Sequence, residues 1–597
     1  MIRIRLVGPT AARPDRLMEQ LDRLPVRDSV VVVGSATGTA TDQLRAVLAD
    51  LEVCIEAGAA LGVLDDAVTV PDEAILMILD DPGLTVAALI ALPAGAHPVV
   101  TNGSIALSAG TASHPVAQAD GDSLGVLVVA AGATPSAAAA VGMALEETTP
   151  AWDGDDPHDL LLTVLTRASA LPAPVAVPLG ALPGGRSADP LHRAALDTAI
   201  EAADVPDLVA RSAARPGDGF YSTYVLRRIS ARLTPSAVRR GVSANGVTIG
   251  SALVGLLGAV LFAVGGRPAL AGGAILLQLS LVLDCVDGEI ARATRTRSAI
   301  GGWLDAATDR VKEYAALAGL AFAAGHLGHH VWLLAAAGMV VQTARHLADF
   351  ALAKEFLAAH RACARDSRPM SDHSLWQPST GAGADADEAP SLSMWVRRTL
   401  HMPIGERWLA LSVCALLGAP TAGLVAYLAL STVSLIWTVL GGIRRTAAAA
   451  DGFTGPVLER LVDFRDDGLL RLAIGRRCPR SVAGWLLPAA VTLLEGGVVI
   501  GCVAAVAPTW AGAGFALLAT LIWHRYDLVY RRAASGRVPG PVDLLGLGWF
   551  IRTIAIGLGT VLSVLPPLLV MCASWLFVVY LPESLRAARS LLHRQPG

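Results

Sequence analysis

This sequence is poor in charged residues and in cysteine. Charged residues make up 16% of its 597 residues, and the formal net charge of −4 is close to neutral for this size, so nothing indicates a nucleic-acid partner. The seven cysteines are scattered without a CxxC or another metal-binding spacing, which argues against a disulfide scaffold and a zinc site. Because no disulfides are expected, we predict that the soluble parts are cytoplasmic.

Apolar residues, in contrast, account for 53% of the chain, which points to an integral membrane protein. A chain of 597 residues is also too long for one ordinary domain. We expect no signal peptide, because the first residues (MIRIRLVGPTAARPDRL) become charged before an apolar stretch develops. The composition therefore predicts a multidomain protein with soluble and membrane-embedded parts.

Residues 1–210 are predicted to form the soluble part, an α/β domain. Short apolar runs alternate with helical patterns there, as expected for a partly parallel sheet. The runs interpreted as strands are 2–7, 29–33, 74–79 and 125–129, and the pattern at 41–62 predicts a helix. A turn that contains Gly34 and Gly38 precedes a helix, so a nucleotide phosphate could rest there. Asp80 and Asp81 are candidates either for a metal-binding acid or for the start of a turn.

Residues 211–244 are predicted to form a basic amphipathic segment. Its apolar positions are Leu226, Ile229, Leu233 and Val238, and they are interspersed with Arg227, Arg228, Arg232, Arg239 and Arg240. A helix with this pattern can lie in the headgroup layer of an anionic membrane leaflet.

The remaining residues are predicted to form an all-α polytopic membrane bundle. Apolar runs of membrane-spanning length indicate about ten helices, six in residues 245–447 and about four in residues 448–597. The runs lie at 246–265, 269–291, 303–324, 330–352, 407–419, 421–441, 483–506, 508–524, 543–561 and 563–582. Arginine and lysine clusters fall at alternating ends of these runs, which predicts that the N-terminal domain faces the cytoplasm. The expected location is a bacterial plasma membrane.

Four carboxylates lie at helical spacing between residues 284 and 309. Asp284 and Asp287 share one helix face, Asp305 and Asp309 share another, and the polar residues 293–300 predict a turn between two antiparallel helices. Four acids in one small volume repel each other and lose hydration, a conflict that divalent cations resolve. Hard oxygen ligands suit Mg²⁺, Mn²⁺ or Ca²⁺. The alternative that needs no metal is a helical hairpin held by ion pairs at the membrane surface.

The complete pattern, D-x2-D-G-x2-A-R-x8-G-x3-D-x3-D, resembles the signature of the CDP-alcohol phosphatidyltransferase family. The resemblance implies transfer of a phosphoalcohol from a CDP-alcohol to an acceptor hydroxyl with release of CMP, assisted by two divalent cations, Mg²⁺ or Mn²⁺. It implies that Asp284, Asp287 and Asp305 bind the metals. Asp309 is implied as the general base and as a further metal contact.

Five more residues are implied in binding the cytidine diphosphate. Asn245 and Thr248 match an Asn-x-x-Thr at the start of the family's first membrane helix, while a helix N-cap at Ser243 or Asn245 is compatible with that role. Gly288 would let the nucleotide approach the helix backbone, and Arg292 would pair with phosphate oxygens. Gly301 would permit close approach of the two helices, either for the ligand or for packing alone.

Arg345 and Arg407 are the candidates for binding the acceptor. Two arginines beside the acids suit a phosphorylated polar alcohol, although the excess of basic residues at cytoplasmic ends would also explain them. The expected donor is CDP-diacylglycerol, and the protein is expected to lie in a lipid bilayer. A homodimer is one possible oligomeric state, and the sequence does not decide it. The resulting function is phospholipid biosynthesis, with a catalytically silent membrane scaffold as the alternative of another class.

Some members of the family carry an N-terminal nucleotidyltransferase domain that makes the CDP-activated donor. Residues 1–210 resemble it in domain order, but no arginine follows in the glycine-containing turn and no Pro-Lys pair is present. We therefore predict an inactive or regulatory domain, with a bifunctional enzyme as the alternative. In residues 448–597, which match no motif, we expect Glu495 and Arg552 to pair inside the bundle, because either charge alone is costly at mid-membrane.

Overall fold

The computed structural model divides the chain into two compact units, one centred on Met1–Ser212 and the other on Ala213–Ala359 and Glu388–Gly597. The residues that it describes are 2–7, 14–24, 30–36, 39–65, 67–79, 86–91, 122–146, 157–167, 175–179, 181–187, 189–214, 219–296, 298–363, 392–448, 484–535 and 545–592. Gly38, Asp80 and Asp81, three residues singled out in the sequence, lie outside this described part.

The N-terminal unit is an α/β domain, as the sequence predicted. Its elements are β1 (Ile2–Val7), α1 (Pro14–Arg23), β2 (Val30–Ser35), α2 (Ala40–Ala57), β3 (Ala60–Asp65), β4 (Val68–Thr69), α3 (Asp72–Leu79), β5 (Val86–Ala91), β6 (Asp122–Val129), α4 (Thr134–Glu146), α5 (Pro157–Arg167), β7 (Val175–Pro178), β8 (Gly185–Arg186), α6 (Pro190–Ala202) and α7 (Val205–Ser212). Six strands form a sheet in the order β2-β1-β3-β6-β5-β7, in which only the β6 pairings are antiparallel, and β4 pairs with β8.

Both faces of this sheet are buried. In β6, Leu127 and Val129 belong to one hydrophobic cluster, whereas Val126 and Val128 belong to the cluster on the opposite face. Successive side chains of a strand point to opposite faces, so a strand with apolar residues on both faces must be covered on both sides. Helices α2, α4 and α5 contribute to the first cluster, and α1 and α3 to the second.

Two local predictions in this unit were wrong. The run at 74–79, interpreted as a strand, lies in helix α3, whose first turn carries Asp72 and Glu73; acidic residues stabilise a helix N-terminus through the helix dipole. The pattern at 41–62 predicted a helix that includes residues 60–62, but these residues lie in β3 and α2 ends at Ala57. Gly58 adopts a left-handed conformation there (φ +61°), which ends the helix and allows β3 to begin.

The second unit is helical throughout the part that the structure describes. It begins with a π-helical turn, Ser222–Leu226, followed by α8 (Arg227–Arg239), α9 (Ala244–Val264), α10 (Arg267–Ala293), α11 (Ala299–His326), α12 (Trp332–Cys363), α13 (Leu392–Leu400), α14 (Ile404–Leu416), α15 (Pro420–Ala448), α16 (Leu487–Val506), α17 (Ala511–Ser535), α18 (Trp549–Val561) and α19 (Leu565–Leu592). Two short 3₁₀ turns precede α16 and α17. Helix α8 leaves Ile229 and Leu233 exposed among its arginines, as expected for the predicted amphipathic segment.

Five of the described helices are long and apolar enough to cross a membrane. They are Ala244–Val264, Arg267–Ala293, Pro420–Arg444, Leu487–Val506 and Leu565–Arg586. In α9 the exposed positions Ile249, Leu253, Leu257 and Val260 form one stripe, which is the pattern of a helix with one face to lipid and one to the bundle. The described residues of the other selected runs lie largely in helices, and their spanning of the membrane stays a prediction.

Candidate metal and nucleotide site

The four acids lie on a helical hairpin, as the sequence predicted. Helix α10 ends at Ala293, and α11 begins at Ala299. In the connection, Arg295 adopts a left-handed conformation (φ +56°), and the Ser298 hydroxyl accepts a hydrogen bond from the Gly301 N–H at 3.0 Å. This cap fixes the start of α11 and therefore the position of the two acids that follow on it.

Three of the acids come together. One carboxylate oxygen from each of Asp284, Asp287 and Asp305 lies within 4.8 Å of the others. Among the described residues, the buried Oδ1 of Asp305 has no hydrogen-bond donor, which is a position that a cation would satisfy. A set of carboxylate oxygens without sulfur or nitrogen suits a hard divalent cation. The residues present therefore fit the predicted metals.

Lys312 lies against the fourth acid and was missed in the sequence analysis. Its ammonium Nζ is 2.7 Å from Asp284 Oδ1, 3.0 Å from Asp309 Oδ1 and 3.0 Å from Ser251 Oγ. The side chain is fully buried. Lys312 follows Asp309 by three residues and so shares its helix face, a spacing that could have revealed it. A fixed cation in this position reduces the electrostatic repulsion between the carboxylates of Asp309 and Asp284.

Thr248 contacts the acid cluster directly. Its hydroxyl donates to Asp287 Oδ2 at 2.5 Å, and the residue is buried between α9 and α10. The structure thus brings a predicted nucleotide-binding residue next to a predicted metal ligand. A hydrogen bond to a metal-binding carboxylate orients it, so Thr248 has a positioning contact in addition to any contact with the nucleotide.

Asn245 and Gly301 face each other at the rim of the cluster. A Cβ added to Gly301 would lie 3.1 Å from Asn245 Oδ1 and 3.0 Å from Ser298 Oγ, so the absence of a side chain leaves room for the amide. Ser243, whose hydroxyl accepts from the Gly246 N–H at 3.2 Å, is the N-cap of α9. The amide of Asn245 is exposed and is not needed for capping.

Gly288 and Arg292 are also neighbours. Arg292 folds back along α10, so that a Cβ on Gly288 would lie 3.0 Å from its Nη1. Its Nε donates to the backbone carbonyl of Ala213 at 2.5 Å. The two residues lie one helical turn apart, as the sequence predicted, and the guanidinium lies next to the helix backbone at Gly288.

Glu289, inside the motif but not one of its specified residues, ties the juxtamembrane helix to the site. Its fully buried carboxylate accepts from Ser230 and Thr234 of α8, both at 2.6 Å, and from Arg227 at 3.2 Å. Because Glu289 is adjacent to Gly288, these bonds fix α8 against the segment that carries the acids. The sequence analysis missed this role, because its partners lie more than 50 residues away.

The two predicted acceptor-binding arginines differ in their surroundings. Arg407 is buried and donates to Glu313 Oε1 from Nε at 3.1 Å and from Nη2 at 2.9 Å, and Nη1 donates to the Met402 carbonyl at 2.7 Å. Arg345 is 3% exposed, and its Nε and Nη2 have no hydrogen-bond partner among the described residues. Arg345 therefore has donors to offer an anion, whereas Arg407 already has a carboxylate partner.

The N-terminal sheet has an acid at the edge where α/β domains bind ligands. Asp65 ends β3, next to β1, where the strand order reverses. Its buried carboxylate accepts from Arg186 Nε at 2.9 Å and from the Ala67 N–H at 2.7 Å. Gly125, with φ +83°, permits this arrangement, because a Cβ there would lie 2.6 Å from the Asp65 Cβ. Asp65 is thus occupied by protein donors.

Comparison with known proteins agrees with the motif. Residues 242–367 match the family model described as CDP-alcohol phosphatidyltransferase. The chain is 37% identical over 151 residues to the "Bifunctional IPC transferase and DIPP synthase" of Thermococcus kodakarensis, which covers 24% of this chain and 33% of that protein. It is 39% identical over 105 residues to the protein of the same name from Aquifex aeolicus, which covers 18% of this chain and 23% of that one.

The chain thus spans a third or less of the length of the curated relatives it matches. The part matched by the family model holds all four acids, Thr248 and the hairpin on which they lie. Residues 242–367 are a CDP-alcohol phosphatidyltransferase domain.

Proposed function

We propose that this protein transfers a phosphoalcohol group from a CDP-alcohol to the hydroxyl of an acceptor and releases CMP. The observation that carries this proposal is the meeting of Asp284, Asp287 and Asp305, whose oxygens lie within 4.8 Å of one another on the hairpin with the complete motif. A silent scaffold would have no need for an acid cluster that burial and mutual repulsion make costly.

The roles of the residues follow from their positions. The acceptor oxygen attacks the phosphorus in line with the bond to CMP; that bond breaks, and CMP leaves with its electron pair. Asp309 takes the proton of the attacking hydroxyl, and Lys312, 3.0 Å from Asp309 Oδ1, fixes this carboxylate in place. Two divalent cations, when bound, would supply charge stabilisation on the pyrophosphate and the leaving CMP.

Donor binding is assigned to the residues around the rim of the cluster. Asn245 and the open backbone at Gly301 would contact the cytidine side, and Arg292 beside Gly288 would pair with phosphate oxygens. Thr248 orients Asp287 through its 2.5 Å hydrogen bond. The proposed donor is CDP-diacylglycerol, presented from a lipid bilayer that the apolar helices would cross.

The proposed acceptor is a polar alcohol that carries a phosphate. Arg345 supports this choice, because two of its guanidinium nitrogens are buried without a hydrogen-bond partner in the described part of the chain. Buried N–H donors without an acceptor are costly, and an anionic group would relieve that cost. Arg407, which is paired with Glu313, would support the site indirectly. The pathway we propose is phospholipid biosynthesis at the cytoplasmic face of a bacterial plasma membrane.

A bifunctional enzyme is the second candidate, favoured by the name of the two relatives. In that case residues 1–210 would make the CDP donor. The pairing of Asp65 with Arg186 speaks against it, because an acid already satisfied by a guanidinium and a backbone N–H is poorly placed to bind a metal. We therefore propose that the N-terminal domain is inactive as a nucleotidyltransferase.

The test is CMP release from the purified full-length protein in lipid. CDP-diacylglycerol should be offered with a panel of polyol phosphates, such as glycerol 3-phosphate and inositol phosphate, with Mg²⁺ or with a chelator. We expect release of CMP with Mg²⁺, stimulated by one acceptor, and none with the chelator. Absence of CMP with every acceptor would favour the scaffold. Pyrophosphate release from CTP and a polyol phosphate would favour the bifunctional enzyme.

A further inference from the structure

We infer that the C-terminal helices hold the catalytic helix α11 in place through its face opposite the acid cluster. Asp527 of α17 is then a positioning residue for the metal ligands on α11. This inference rests on the proposed function. Helix α17 lies well beyond residues 242–367, the part that the family model matches. The C-terminal helices would then be a part of the transferase site that the family signature does not contain.

Helix α11 presents two opposite faces. Asp305, Asp309 and Lys312, at i, i+4 and i+7, form the face toward the acid cluster. Trp303, Ala307 and Arg310 have the same spacing, displaced by two residues, which is about 200° around a helix. Any element that holds this second face therefore fixes the rotation of α11 about its axis and so the direction of the acids.

A hydrogen bond that Trp303 donates to helix α17 holds it on that second face. The indole Nε1 of Trp303 donates to Asp527 Oδ1 at 3.0 Å, and Ser584 Oγ of α19 donates to Asp527 Oδ2 at 2.7 Å. Trp303 is 9% exposed and Asp527 is 3% exposed. A hydrogen bond to a buried carboxylate is strong and directional, so it fixes the position of the indole closely. Trp303 precedes the metal ligand Asp305 by only two residues.

A second contact lies two turns further along α11. The guanidinium of Arg310 lies over the ring of Tyr526, 5.2 Å from its centre, and the Tyr526 hydroxyl is 2.5 Å from His346 Nδ1. The same helix α17 thus contacts α11 at both ends of the segment that holds Asp305 and Asp309. Trp523 completes this surface by packing in one cluster with Trp303.

The three residues of α17 share one face of that helix. Trp523, Tyr526 and Asp527 are spaced i, i+3 and i+4, so α17 makes these contacts as a single rigid surface. Metal-binding groups must be held within about 0.5 Å of their working geometry, and that precision comes from the contacts behind them. Loss of the Trp303–Asp527 bond should therefore weaken metal binding even though neither residue touches the metal.

The first test is the affinity of the full-length protein for Mn²⁺, measured by electron paramagnetic resonance of the free ion. Trp303→Phe removes the indole N–H and keeps an aromatic ring. Removing a group that supports metal ligands weakens metal binding by about 10-fold or more, and we expect a loss of this size. The matched control is Thr492→Val, which removes a buried hydroxyl that accepts from Arg525 of the same helix α17 at 2.5 Å. We expect this control to keep wild-type Mn²⁺ affinity, whatever its melting temperature.

A double variant separates a specific contact from general damage. If the Trp303–Asp527 bond is what matters, Trp303→Phe combined with Asp527→Ala should bind Mn²⁺ no more weakly than Asp527→Ala alone. Unchanged affinity in Trp303→Phe, additive losses in the double variant, or an equal loss in Thr492→Val would overturn the inference. The Mn²⁺ affinities can be compared without any turnover. A wild-type protein that releases no CMP would therefore refute the proposed function, and the affinities would still test the role of the Trp303–Asp527 bond.

Discussion

Glu495 and Arg552, which are 57 residues apart, form a buried ion pair in the C-terminal helices, with Arg552 Nε donating to Glu495 Oε1 at 2.8 Å. The sequence predicted this pair, and the structure confirms it. The structure also adds Arg525, whose guanidinium bonds to the other carboxylate oxygen. One carboxylate therefore pairs with two arginines inside a bundle where each charge alone would be costly.

Substitutions of Glu495 and Arg552 should reduce the stability of the protein by different amounts. Glu495→Gln leaves two buried guanidiniums without a carboxylate, and loss of one partner of a buried ion pair costs about 3–5 kcal/mol. Arg552→Met should be milder, because Arg525 keeps its bond to Glu495. The variant with both changes should melt above Glu495→Gln, since it leaves only one unneutralised charge. Melting temperatures in detergent test this order, and an Arg552→Met protein less stable than Glu495→Gln would contradict it.

Thr248 should matter for metal binding. Thr248→Val removes the 2.5 Å hydrogen bond to Asp287 while keeping the shape of the side chain. We expect metal affinity to fall about 10- to 100-fold, as is typical when a group that orients a metal ligand is lost. Isothermal titration with Mn²⁺ measures it. Thr553→Val is the control, because that hydroxyl donates to the Trp549 carbonyl at 2.7 Å in helix α18. Equal affinities of the two variants would refute the role.

Substitution of Gly301 should weaken binding of the donor more than it slows the chemical step. In Gly301→Ala the new methyl group would lie 3.1 Å from Asn245 Oδ1, so the amide must move. We expect a raised KM for the CDP-alcohol with little change in kcat, because Asp309 is undisturbed. Gly302→Ala is a matched control, since a Cβ there meets no atom within 4 Å among the described residues. If both alanine variants gave the same KM, the assignment of Gly301 to the donor site would fail.

The N-terminal domain should be dispensable for phosphotransfer chemistry. Asp65→Asn weakens the buried bond to Arg186, which should destabilise that domain. In the full-length protein at a temperature where the variant remains folded, we expect CMP release equal to that of the wild type. We also expect no pyrophosphate from CTP and a polyol phosphate in either protein. Pyrophosphate release that Asp65→Asn abolishes would show that Asp65 is catalytic.

Sequence reasoning was strongest where helical spacing alone determines geometry. The spacings of Asp284, Asp287, Asp305 and Asp309 predicted two single-faced helices and a turn, and the structure has the hairpin and brings three of the acids together. The alternation of strands and helices in residues 1–210 likewise predicted the α/β domain. In both cases the information is local, because each pattern lies within one or two elements.

Contacts between residues far apart in the chain could not be predicted from the sequence. Glu289 bonds to residues of α8 55 to 62 residues earlier, and Trp303 bonds to Asp527, 224 residues later. Spacing within one helix cannot indicate either partner. The run at 74–79 failed for a different reason, because a short apolar segment fits a strand or a buried helix equally well, and the deciding signal was the pair of acids that precedes it.

We propose that Asp309 acts as the base in a CMP-releasing transfer at the acid cluster. The most direct measurement compares CMP release from the wild type and from Asp309→Asn, with binding of the CDP-alcohol measured on the same samples. Asparagine keeps the size of the side chain and an oxygen that can face Lys312, but it cannot take a proton. We predict a loss of about 10²- to 10⁴-fold in CMP release with donor binding largely preserved. Turnover within a few-fold of the wild type would contradict the account.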